Sequence, residues 1–84
     1  MIETVTINNK KYSVLFTYEE ENGNKYIYYT DNSFDDNGKL NVVVGLYEIV
    51  NDEYKISDID DDLTMKKAIK ILEEIVKNIN RWSG

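Results

Sequence analysis

The side chains best placed to do chemistry in this sequence are its 16 carboxylates, because the chain holds no histidine and no cysteine. Without histidine the commonest general base and the commonest metal ligand are both missing. Without either residue, Ser–His–Asp and Cys–His nucleophiles cannot be built. The lack of cysteine also removes thiolate metal sites and any disulfide framework, which fits a reducing compartment. Carboxylates alone can pair as acid and base in hydrolysis, and they can hold hard cations. Two stretches concentrate them. Asp58, Asp60, Asp61 and Asp62 stand just before an apolar periodic segment, where a helix start needs a capping oxygen and negative charge. The loop Ser33-Phe34-Asp35-Asp36-Asn37-Gly38 partly mimics a calcium loop. There the first ligand position falls on Ser33 and the bidentate acid position on Val44, so a polar hairpin loop is the better reading. The four glycines form no phosphate-binding loop. The expectation is a protein that is not an enzyme and has no cofactor and no metal site, with weak carboxylate cation binding as an alternative.

The elements that would position any site begin with the C-terminal third. Met65, Ala68, Ile69, Leu72, Ile75, Val76 and Ile79 recur at the spacing of one helical face, with Ile71 and Trp82 at its edge. Lys66, Lys67, Lys70, Glu73, Glu74, Lys77 and Arg81 occupy the opposite face. The spacing predicts an amphipathic helix over about 61–80, and Trp82 reads as a lid on the core edge.

Upstream of it the period changes to two. Strands are predicted over Met1–Ile7, Lys11–Glu19, Lys25–Thr30, Leu40–Val50 and Tyr54–Ser57, all within 1–58. Asn8-Asn9, Asn22-Gly23, Asn37-Gly38 and Asn51-Asp52 mark the turns. Alternation puts Tyr12, Val14, Phe16 and Tyr18 on one face, and Ser13, Leu15 and Thr17 on the other. Gly45 suggests a bulge or bend in the longest strand. Consecutive strands joined by tight turns, followed by one helix, predict an α+β fold. It is an antiparallel β-meander of four to five strands with one C-terminal amphipathic helix packed on one sheet face. Val14, Phe16, Val42, Val44 and Leu46 are the expected inward set. The whole chain, 1–84, reads as a single small domain.

Charge narrows the partners. The net charge is −6, but residues 1–64 carry 14 acidic and 5 basic groups, whereas the remainder is net basic. An acidic strand region repels phosphate, so direct nucleic-acid binding is not expected. No apolar run is long enough to span a bilayer, and no secretory leader pattern is visible, so a cytoplasmic, non-membrane location is expected. One helix covers one sheet face. The other retains Leu15, Val43, Tyr47 and Ile49, an apolar set suited to an interface. All seven tyrosines lie in or beside strands, where their hydroxyls are expected to reach water. The leading functional expectation is a small protein-interaction or regulatory module, binding a protein partner through that face, or a second copy through that face or the sheet edge. The alternative is an acidic mimic or inhibitor of a nucleic-acid-binding partner.

The order of parts also resembles the YrzB-like family of small acidic bacterial proteins, a domain family of unknown function. The residues that carry the resemblance are KYSVLFTYEEENGNKYIYYT (11–30), VVVGLYEI (42–49) and YKISDIDDDLTMKKAIKILEEIV (54–76). Members read as an apolar strand ending in Phe, an acidic turn with Gly-Lys, a Tyr-rich strand, a longer strand with a Tyr, then acids and a helix. This chain departs where the family's acidic run leads into Glu-Trp, since Leu63-Thr64-Met65 stands there, and its helix is longer and more basic. The resemblance implies a cytoplasmic bacterial protein of sheet plus helix. It implies no catalytic residues.

Overall fold

The computed structural model describes residues 3–83, and side chains as far as residue 77. Met1 and Ile2 of the expected first strand lie outside the described residues, as do the side chains of Ile79, Arg81 and Trp82. The elements follow in order as β1 (Thr4–Ile7), β2 (Lys10–Glu19), β3 (Lys25–Thr30), β4 (Val43–Val50), β5 (Glu53–Ser57) and α1 (Asp62–Ser83). Each strand pairs antiparallel with the next, and the β1-β2-β3-β4-β5 meander curls into a nearly closed barrel. The α+β meander with one helix on one sheet face is therefore the observed fold.

The turns explain the register. Asn8 and Asn9, with φ of 52° and 67°, and Asn51 and Asp52, with φ of 53° and 65°, build two-residue hairpin loops in the left-handed region. Such loops match the natural twist of paired strands, and Asn and Asp tolerate the conformation. Gly23, at φ 97°, closes the β2–β3 loop, where its N–H donates to Glu20 O. Leu40 is not part of β4 as expected. It forms an isolated bridge with Phe34, which closes a miniature hairpin over residues 34–40. Inside it, the Asp35 carboxylate accepts the backbone N–H groups of Asn37 and Lys39, both at 2.9 Å. That satisfies the loop internally, as a polar hairpin requires.

β3 is the middle strand and is buried on both faces: Tyr26, Ile27, Tyr28 and Thr30 are fully covered, and Tyr29 nearly so. The face under α1 holds Tyr26 and Tyr28, with Phe16, Val42, Val44, Leu46 and Ile59 around them and Ala68, Ile71 and Leu72 above. Phe16 stacks on Tyr28 with ring centroids 4.3 Å apart. The Tyr28 hydroxyl donates to the Ala68 carbonyl at 2.7 Å, and Ala68 is fully buried. A small residue here lets the helix backbone settle onto a large ring.

That contact rotates the helix relative to the expected stripe. Ile71, expected at the edge, packs into the core, whereas Ile69 and Val76 are 44% and 45% exposed. The helix start is as expected: the Thr64 N–H donates to the Asp61 carboxylate at 2.9 Å, and Thr64 Oγ1 donates to it at 2.8 Å.

Two further expectations are corrected. Val14 pairs with Tyr29 but Phe16 with Tyr28, so Leu15 is an extra residue in β2. This bulge reverses the alternation, leaving Phe16 under the helix and moving Val14 to the opposite face. Gly45 is no bulge: it pairs regularly with Ile27. A Cβ there would meet Ile56 Cγ2 and the Ser57 carbonyl oxygen, both at 3.0 Å, so the glycine accommodates close approach of β5.

Candidate interaction surface

The face away from α1 follows from the pairing. Val5 opposes Tyr12, Val14 opposes Tyr29, Thr17 opposes Ile27, and Tyr29 opposes Val43. Gly45 opposes Ile27, Tyr47 opposes Ile56 and Ile49 opposes Tyr54. Directly opposed residues share a face, so these side chains line one surface. No helix covers it, yet Ile27 and Tyr29 are buried on it, because the sheet curls around this side. Tyr12 meets Tyr29 edge to face at 5.1 Å, and Tyr47 meets Tyr54 in the same way at 5.5 Å. The face expected to be open is thus the concave lining of the barrel.

Of the four residues singled out in the sequence, three lie on this lining. Val43 and Ile49 are 43% and 55% exposed, and Tyr47 is half-buried between them. Val43 and Ile49 stand near opposite ends of β4, six residues and roughly 20 Å apart at ~3.3 Å per residue. Leu15 is 41% exposed at the bulge of β2, across β3 from β4. The four therefore do not form one patch. Tyr47 and Ile49 join Tyr54 into an aromatic and aliphatic group at the β4–β5 end, Val43 sits beside Tyr29, and Leu15 stands alone.

Sequence reasoning missed the seam where the barrel fails to close. Glu3 to Ile7 and Asp52 to Ile56 face each other across a cleft of about 700 Å³. The Tyr54 hydroxyl spans it, donating to Glu3 Oε2 at 2.5 Å. That bond, then desolvation, pushes the Tyr54 hydroxyl up to about 12. Tyr28 is also pushed up to about 12, chiefly by burial. The tyrosine hydroxyls expected to reach water are in three cases engaged within the fold: Tyr28 with Ala68, Tyr54 with Glu3, and Tyr26 with Glu20 at 2.6 Å. The only sequence signal for the seam is the strand count, since an odd meander leaves its two edge strands pointing the same way.

The acids are spread rather than gathered. Among the described residues, no group of three or more carboxylates is placed to hold a metal ion. Asp31 is held well below the carboxylate range by Ser33 and Lys10, the Lys10 ammonium lying 2.9 Å away. Asp61 is lowered by its capping bonds to Thr64. Among the described residues, no helix is long and apolar enough to cross a membrane. The chain matches no family model, no curated protein and no solved structure. The resemblance to the YrzB-like family therefore rests on the quoted residues alone.

Proposed function

We propose that this protein is a small non-catalytic interaction module that binds a protein partner through its concave sheet face and the rim around it. The observation that carries this reading is the apolar group at the β4–β5 end. Ile49, more than half exposed, continues the Tyr47–Tyr54 aromatic pair to the surface. Large apolar side chains grouped with tyrosines at a rim are the composition of interface cores, whereas singly scattered ones are ordinary surface. The acidic balance of the strand region favours partners of opposite charge and faster encounter with them.

The test is a photo-crosslinking residue at position 49, used in bacterial lysate alongside sedimentation of the pure protein. The reading predicts a defined cross-linked species, lost when Tyr47 is changed to Lys. A strict monomer that cross-links to nothing above background would overturn it.

A further inference from the structure

We propose that the seam between β1 and β5 takes up one extended segment of a basic partner protein as a sixth strand. This rests on the reading of the protein as an interaction module, and gives it a binding edge and a partner chemistry.

The backbone supplies the first argument. The Val14 N–H donates to Glu3 O at 2.8 Å, so Glu3 turns its polar groups toward β2. Antiparallel strands alternate, so Val5 and Ile7 also face β2, while Thr4 and Thr6 turn N–H and C=O into the seam. On the other side, the two-residue loop Asn51-Asp52 makes Val50 and Glu53 the closing hydrogen-bonded pair. Lys55 and Ser57 then face β4, and Tyr54 and Ile56 face the seam. Two edges with free ladder groups thus confront each other across one cleft, and no ladder joins them among the described residues.

Direction supplies the second. In a five-stranded antiparallel meander, β1 and β5 run the same way. The Glu3–Tyr54 bridge, near the start of both strands, agrees with this. A strand between them runs antiparallel to both, so one insertion completes an all-antiparallel six-stranded barrel. This is strand addition, the mode in which main-chain bonds give affinity and alternate side chains give specificity.

The lining then specifies the occupant. Residues opposite Tyr54 and Ile56 point to the concave face beside Val5 and Ile7, and must be apolar. Residues opposite Thr4 and Thr6 point outward beside Glu53 and Lys55. The lining as a whole carries Glu3, Asp52 and Glu53 against the single cation Lys55. Glu53 stands on the outward side, while Glu3 and Asp52 stand where the far end of the occupant would lie, so the polar positions of the occupant must be basic rather than acidic. The occupant is a segment in which apolar and basic residues alternate.

The experiment titrates the ¹⁵N-labelled protein with an octapeptide alternating valine and lysine. The amides of Thr4, Thr6, Tyr54 and Ile56 should shift and gain exchange protection, and affinity should fall several-fold as salt is raised. Thr6→Pro removes one seam-facing N–H without touching the β1–β2 ladder, and should weaken binding while the spectrum stays folded. Methylating alternate backbone nitrogens of the peptide should abolish binding with the protein unchanged. Equal binding by the methylated peptide, or by one alternating valine with glutamate, overturns the proposal. So does concentration-dependent protection of the same amides without peptide, which assigns the seam to a second copy. If the seam amides stay silent while position 49 still cross-links to a partner, the seam proposal falls and the interaction reading stands.

Discussion

Replacing Gly45 with alanine sets two effects of opposite sign against each other. Removing a strand glycine restricts the unfolded chain and stabilises by roughly 0.5–1 kcal/mol where the native backbone accepts a side chain. Against this, the added methyl lands 3.0 Å from Ile56 Cγ2 and 3.0 Å from the Ser57 carbonyl oxygen. The Ile56 methyl can turn aside. The Ser57 carbonyl cannot, because Ser57 pairs with Leu46 in the β4–β5 ladder. Relieving the contact means overpacking a closed sheet, about 1–3 kcal/mol, or loosening a ladder bond worth about 0.5–1.5 kcal/mol. The overpacking cost exceeds the entropic gain, and Gly45→Ala should destabilise by about 1–2 kcal/mol. In a chain of this size that lowers the melting midpoint by ~4–8 °C per kcal/mol. Urea unfolding followed by far-ultraviolet circular dichroism measures the loss, and exchange at the Leu46 amide locates it. Unchanged or raised stability would refute the close approach of β5 as the reason for glycine here.

Other substitutions probe the helix contact and the turns. Tyr28→Phe should cost only about 0.5–1.5 kcal/mol, because the Ala68 carbonyl is a mid-helix acceptor that keeps its helical partner. Ala68→Leu should cost more, about 1–3 kcal/mol or beyond, since the fully buried site has no room for three more carbons; the same urea titration ranks the two. Gly23→Ala meets nothing within 4 Å, so any loss there reports φ strain alone. Asp61→Ala should lower helix content and the melting midpoint by removing the cap on Thr64. Acid should act through Asp31 and Asp61, whose folded values lie below the usual 3.8. Their stabilisation is complete above that value and is lost as pH falls through the depressed ones, so Asp31→Asn should flatten the acid limb of stability against pH. Alkali should act through Tyr28, whose folded value is raised from 10.0 to about 12. Its contribution is complete below pH 10 and is lost between there and pH 12, which tyrosinate absorbance can follow.

Much of the architecture was legible because it follows from local chemistry. Asn and Asp at 8–9 and 51–52 tolerate the left-handed turn that a two-residue hairpin demands, and Asp61 marks the helix start by capping it. What was not legible depends on contacts distant in sequence. A bulge leaves no mark in the alternation of KYSVLFTY: the strand reads as regular through Leu15, and only the pairing with Tyr28 and Tyr29 reveals the slip. The hydroxyls of Tyr26 and Tyr28 read as reaching water, because a hydroxyl is as readily solvated as bonded. Their burial follows from β3 being the central strand and from the Ala68 carbonyl and the Glu20 carboxylate receiving their protons. The same ring contact decides which flank of α1 is buried, so Ile69 and Ile71 could not be ranked from spacing. The candidate surface was legible as a set of residues on β4, but not as the inside of a curve, because curvature belongs to the whole sheet.

The meander has a kinetic consequence. Every strand pairs with its neighbour in the chain, so the sheet assembles from hairpins, and hairpins form within roughly 1–10 μs. Among the described residues, the side-chain hydrogen bonds of longest sequence separation are Tyr28 to Ala68, 40 residues apart, and Glu3 to Tyr54, 51 apart. Contacts of long sequence separation bear the largest loop-closure entropy and form late. Folding should therefore run from the hairpins to helix docking, and finish at the seam. The same ordering, reversed, makes the seam the first region to open in the native state, where exchange and proteolysis begin.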